Sequence, residues 1–218
     1  MDLLTELATK YMYECGSCEE REELNCGIQK VLVEHPELLN KALLLCAGPI
    51  IEWVVRTSTQ YYAKQRGDEE DDDNQKHLHL IHALFDALMD MGASVDCTNG
   101  LYNEHLLFKA IDPYIICGLV TTGCNIFSLV NGRGIIHVHA INRNVDAIRT
   151  IAHQSVDHVA LLNVGIGNPH IIAQAYIENC MCNSEYTDVH VVTYLRTGRW
   201  PGSIGMLTKS VAKRANNK

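Results

Sequence analysis

Three segments of the chain carry apolar residues at i, i+3 and i+4 and then stop in the same manner. Residues 84–96 read Leu-Phe-Asp-Ala-Leu-Met-Asp-Met-Gly-Ala-Ser-Val-Asp. Residues 115–126 read Ile-Ile-Cys-Gly-Leu-Val-Thr-Thr-Gly-Cys-Asn-Ile, and residues 145–157 read Val-Asp-Ala-Ile-Arg-Thr-Ile-Ala-His-Gln-Ser-Val-Asp. This spacing predicts an amphipathic helix in each. Gly92 and Gly123 stand where a left-handed helix cap is expected, and Ser155 takes that place in the third. Behind the segments, Asn99, Asn131 and Asn163 recur at 32-residue intervals. A second, shorter helix is predicted after each, over residues 105–111, 135–142 and 169–177. Two short helices are too thin to bury their own apolar faces, so neighbouring units have to stack, and the predicted fold is an all-α solenoid.

The pattern continues more faintly upstream. Lys41-Ala42-Leu43-Leu44-Leu45-Cys46-Ala47-Gly48 reads as a further inner helix, and residues 24–39 read as a capping helix pair. Residues 57–75 break the pattern with a polar and acidic stretch, which reads as an insertion within one repeat. The expected organisation is an N-terminal helical cap over residues 1–39, a repeat array over 40–196 with the acidic insertion at 57–76, and a tail over 197–218. In that tail Trp200-Pro201-Gly202 makes a turn ahead of a short helix.

Composition adds constraints on function. The chain has 218 residues and a formal net charge of -8, to which the run Asp68, Glu69, Glu70, Asp71, Asp72 and Asp73 contributes heavily. Such a surface repels phosphates, so general nucleic-acid binding is not expected. Lys209, Lys213, Arg214 and Lys218 form the basic concentration of the tail and read as a solvated helix face. No apolar run reaches the roughly 18 residues of a membrane span. The first residues show neither a basic segment nor an apolar core of a signal peptide. The nine cysteines are scattered, several in apolar segments such as those of Cys46 and Cys117, as expected of reduced thiols packed as small hydrophobes. A soluble protein of the cytoplasm or nucleus is expected.

Residues able to carry chemistry are few. Cys15-Gly16-Ser17-Cys18 has the spacing of a redox pair or half a zinc site, with Cys26 and His35 as conceivable further ligands, but no second Cys-x-x-Cys follows. His77, His79 and His82 lack the i, i+4 spacing of a helical metal pair. Cys180-Met181-Cys182 reads as a helix end. Gly165-Ile166-Gly167 is too short for a dinucleotide loop, and no Gly-x-Ser-x-Gly, His-Glu-x-x-His or phosphate-binding loop occurs. No enzyme, metal or cofactor is expected.

Gly134-Ile135-Ile136-His137-Val138-His139-Ala140 resembles the Thr-Pro-Leu-His-x-Ala opening of the ankyrin repeat, keeping the His and a small residue but lacking Thr and Pro. Asn142 to Ile148 looks like that family's inter-helix turn and second helix. Gly92-Ala93-Ser94-Val95-Asp96 resembles the end of an ankyrin second helix, and Asn168-Pro169-His170-Ile171-Ile172-Ala173 the start of another repeat. Asp112-Pro113 departs from the pattern, standing where a Gly-containing turn is usual. The resemblance covers residues 78–196 and implies a module that binds a partner protein through finger-like turns and a concave face. It further implies that His137 hydrogen-bonds backbone between repeats. Leu101, Tyr102, Asn103, Arg133 and Ile166 fall at finger tips, with Tyr102 and Arg133 as the anchors most suited to an interface. Two variants of this reading stay open: a ubiquitin-ligase substrate receptor docked to ligase subunits through the tail, and a viral protein that mimics host ankyrin proteins. A small enzyme or metal protein using the N-terminal Cys and His residues is the alternative of a different kind.

Overall fold

The structure, a computed structural model, describes residues 3–43, 48–65, 72–95, 106–142, 144–154, 191 and 193–195. Those residues are predominantly helical, so the all-α expectation is met at the level of fold class. The chain forms two compact units, Met1–Asn125 and Ile126–Lys218.

In the first unit, helix α1 (Leu3–Tyr13) is followed by α2 (Cys18–Glu34). Leu4, Ala8 and Tyr11 make the buried stripe of α1. Ser17 caps α2 by accepting the amide of Glu20, while the Glu20 carboxylate accepts the amide of Gly16, a reciprocal arrangement close to a capping box. A single 3-10 turn at Pro36–Leu38 follows. The expected capping pair over residues 24–39 is therefore the second half of one long helix plus this turn. Lys41, Ala42 and Leu43 are not helical.

Helix α3 (Ile50–Gln65) packs against α4 (Asp72–Asp90). Ile50, Ile51, Trp53, Val54 and Val55 are all buried, so the first turns of α3 are covered all round. Tyr11 of α1 meets Trp53 edge to face, with ring centroids 5.5 Å apart. Residues 57–65 belong to α3 and 72–76 to α4, so both ends of the stretch read as an acidic insertion are helical. Buried Thr57 and Ser58 show why the polar sequence misleads. Thr57 returns its hydroxyl to the Trp53 carbonyl of its own helix, and Ser58 finds a partner on another element.

Helices α5 (Leu106–Lys109) and α6 (Pro113–Thr121) complete the unit. Asp112 caps α6 and Pro113 occupies its first turn, where a missing N–H costs nothing. The Asp-Pro step that departs from the repeat pattern is thus a helix start. Helices α4 and α6 end alike. Gly92 and Gly123 have φ of +83° and +96°, and the amides of Ala93 and Cys124 reach back to the carbonyls of Leu88 and Leu119. Both are the left-handed caps expected at those glycines.

In the second unit, strands β1 (Leu129–Val130) and β2 (Arg133–Gly134) pair antiparallel, Leu129 with Gly134 and Val130 with Arg133. Helices α7 (Ile135–Ile141) and α8 (Val145–Gln154) follow and pack on each other. Ile135, Ile136 and Ala140 of α7 and Ala147, Ile148, Ile151 and Ala152 of α8 are buried, as are Val191, Tyr194 and Leu195.

Candidate interaction surface

The hairpin exists because Asn131 and Gly132 both accept positive φ, +52° and +76°. Two consecutive residues of that kind make the tight turn whose twist suits antiparallel strands. The pairing places Arg133 and Val130 on one face and Leu129 and Gly134 on the other, since side chains alternate along a strand. Arg133 is exposed, Leu129 is 53% exposed and Phe127 is 41% exposed. Exposed Arg133, Leu129 and Phe127 therefore lie in or beside one turn, and the arginine is of a residue type in which binding energy concentrates. Of the expected finger-tip residues the structure places Arg133 here. Leu101, Tyr102, Asn103 and Ile166 lie outside the described residues.

The support beneath the hairpin is well packed. His137 and His139 are buried in α7. The His139 ring Nδ1 lies 3.2 Å from the Asn144 side-chain amide, and the Asn144 backbone N–H donates to the His139 carbonyl at 2.9 Å. This pair ties the end of α7 to the start of α8 and sets the turn between them. The resemblance singled out His137; the bond that closes the turn belongs to His139.

Compared with models of known protein families, with curated proteins and with solved structures, the chain has no significant match.

The first unit holds the polar groups with the closest geometry. Ser58 Oγ donates to Asp112 Oδ2, and His82 Nε2 lies 2.6 Å from the same oxygen. Asp112 Oδ1 accepts the Tyr114 amide. The His82 ring stacks on Tyr114 with centroids 4.2 Å apart and planes 15° from parallel, and the Tyr114 hydroxyl donates to Asp86. Ser, His and Asp together invite comparison with a hydrolytic triad. In a triad the imidazole stands between hydroxyl and carboxylate so that it can take the hydroxyl proton. Here the carboxylate stands between, so the group holds α3, α4 and α6 together.

The other chemistry-bearing sequences fall into similar structural places. Cys18 opens α2 and Cys15 precedes its cap, and both are free thiols. Burial pushes the Cys15 thiol up, which keeps it protonated and a poor nucleophile. His79 and His82 rings are 6.5 Å apart, and among the described residues no group of three or more His, Cys, Asp or Glu could hold a metal ion. No described helix is long and apolar enough to cross a membrane. Cys180, Met181, Cys182 and Gly165 to Gly167 lie outside the described residues. Sequence reading missed Ser58, Asp112 and the buried acid Glu52, because the bonds Ser58–Asp112 and Glu52–Lys109 join residues 54 and 57 apart in the chain. Asp112-Pro113 carried one legible signal, that of an N-cap followed by proline.

Proposed function

We propose that the chain is a protein-interaction module of diverged ankyrin-type repeats that grips a partner protein with its protruding turns. The single observation that carries this reading is the order hairpin, α7, α8 in the second unit: a turn flanked by exposed Leu129 and Arg133, followed directly by two short packed helices. That order is what the resemblance of residues 134–148 to an ankyrin repeat implies. The matching caps at Gly92 and Gly123 support a repeated helical device upstream. Exposed apolar and Arg side chains on a turn whose own support is buried suit recognition, because the anchors are presented without ordering cost in the scaffold.

The test is site-specific photo-crosslinking in cells with the probe at Leu129, at Arg133 and, as control, at the exposed Lys30 of α2. Discrete adducts are expected from the two hairpin positions and not from Lys30. The Leu129 adduct should disappear when Arg133→Ala is added and the Arg133 adduct when Leu129→Ser is added, and each variant's unfolding midpoint should match that of its parent because surface changes alter stability by about 0.5 kcal/mol or less. Equal adducts at all three positions would sink the reading.

A further inference from the structure

Arg21 of α2 is 8% exposed, and no carboxylate among the described residues lies within ion-pair distance of it. Its Nη1 donates to the Tyr61 hydroxyl at 2.6 Å and its Nη2 to the Cys15 carbonyl at 3.2 Å, while Nε has no hydrogen-bond partner among the described residues. The guanidinium carbon lies 5.6 Å from the ring centroids of both Tyr11 and Tyr61. Buried charge is costly unless an opposite charge or several hydrogen bonds compensate it, and two aromatic faces with two neutral acceptors compensate it in part.

Beside this cation is a cleft of 110 Å³ lined by Tyr11, Thr57, Gln60, Tyr61 and Lys64. Among the described residues no acidic side chain lines it, on a chain whose formal net charge is -8. The Lys64 ammonium sits 5.5 Å from the Tyr61 ring centroid. The Tyr11 hydroxyl is buried without a partner among the described residues, and burial raises its pKa, so it stays a protonated donor. Tyr61, by accepting from Arg21, is left with its own O–H to donate, and a hydroxyl polarised by a charged donor is the stronger donor for it. The volume is below the roughly 300 Å³ at which sites for drug-sized ligands begin, and it suits a single small group.

We propose that this cleft binds a small oxyanion, held by the hydroxyls of Tyr11 and Tyr61 and the Lys64 ammonium, with Arg21 as the charge behind them. Phosphate and carboxylate share this chemistry, and the two are distinguished by their charge and number of acceptor oxygens.

Isothermal titration of the full chain at fixed ionic strength, with inorganic phosphate in one arm and acetate in the other, reads the site. Saturable one-to-one binding is expected in at least one arm, and the tighter arm identifies the group. Lys64→Gln, Tyr61→Phe and Tyr11→Phe should each weaken it at least fivefold, while Lys30→Gln leaves it unchanged. Circular dichroism confirms that each variant is folded, and the solvent-exposed Lys64 keeps the test alive if a buried tyrosine variant is not. Absence of saturable binding in both arms overturns the proposal, as does binding that Lys64→Gln leaves unaltered. This outcome is independent of the hairpin crosslinks, which report on the other unit.

Discussion

Ser58 and Asp112, 54 residues apart, are joined by a hydrogen bond buried away from water. The Asp112 carboxylate also caps α6 and meets His82, so one side chain organises three helices. Replacing it with alanine removes an N-cap, worth about 1 kcal/mol. It also leaves the Ser58 hydroxyl buried and unpaired, which costs about 1–3 kcal/mol more. Asp112→Ala should therefore lower the urea unfolding free energy by several-fold more than Ser58→Ala, which leaves the cap and the His82 contact intact. Equal losses in the two variants would show that Asp112 does not bridge the elements as described.

Gly118 sits on α6 where a Cβ atom would stand 2.4 Å from Cε1 of Phe85. Phe85 is 1% exposed and has nowhere to retreat. Gly118→Ala should destabilise the first unit by about 1–3 kcal/mol, the usual cost of overpacking, despite the better helix propensity of alanine. The double variant Gly118→Ala with Phe85→Leu should recover part of the loss. A cycle of thermal unfolding measurements gives the coupling, and strict additivity would argue against the close approach.

Glu52 is 1% exposed on α3, and its Oε1 receives Lys109 Nζ at 2.7 Å and Arg56 Nη2 at 2.8 Å. Removing one partner of a buried ion pair costs about 3–5 kcal/mol because the other is left uncompensated. Lys109→Met should cost less than that, since Arg56 still faces the carboxylate. Glu52→Gln should cost more than Arg56→Gln, whose charge is partly exposed and screened. Chemical denaturation of the three variants orders them, and a Glu52→Gln no more costly than Arg56→Gln would argue against Glu52 as the shared centre of the two ion pairs.

Burial pushes the hydroxyls of Tyr11 and Tyr194 above the ordinary tyrosine value of 10.0. Below that pH both folded and unfolded chains keep these protons. Above it the unfolded chain releases them and the folded chain holds them, so stability falls as pH rises, by up to about 1.4 kcal/mol per pH unit for each group. Urea unfolding at pH 9 and at pH 11 should show this fall, and Tyr11→Phe should make it shallower. An unchanged slope in that variant would mean that Tyr11 ionises freely in the folded protein.

Period and punctuation in the sequence determined which stretches are helical and where several of them stop. The i, i+3, i+4 pattern marks α4, α6 and α8, and Gly92 and Gly123 mark two ends, because local backbone preference and amphipathicity act within a few residues. Asn131-Gly132 was legible as a turn for the same reason. The extent of α3 and α4 was not. Thr57 and Ser58 look like loop, and only their burial against neighbouring elements makes helix the better choice, while Asp72 and Asp73 are exposed acids that suit the first turn of α4. Nor could the sequence locate Asp112 beside Ser58 and His82, or Arg21 between Tyr11 and Tyr61. Those neighbours come from distant elements, and the energy of a buried polar group depends on what the folded chain brings to it rather than on the residue itself.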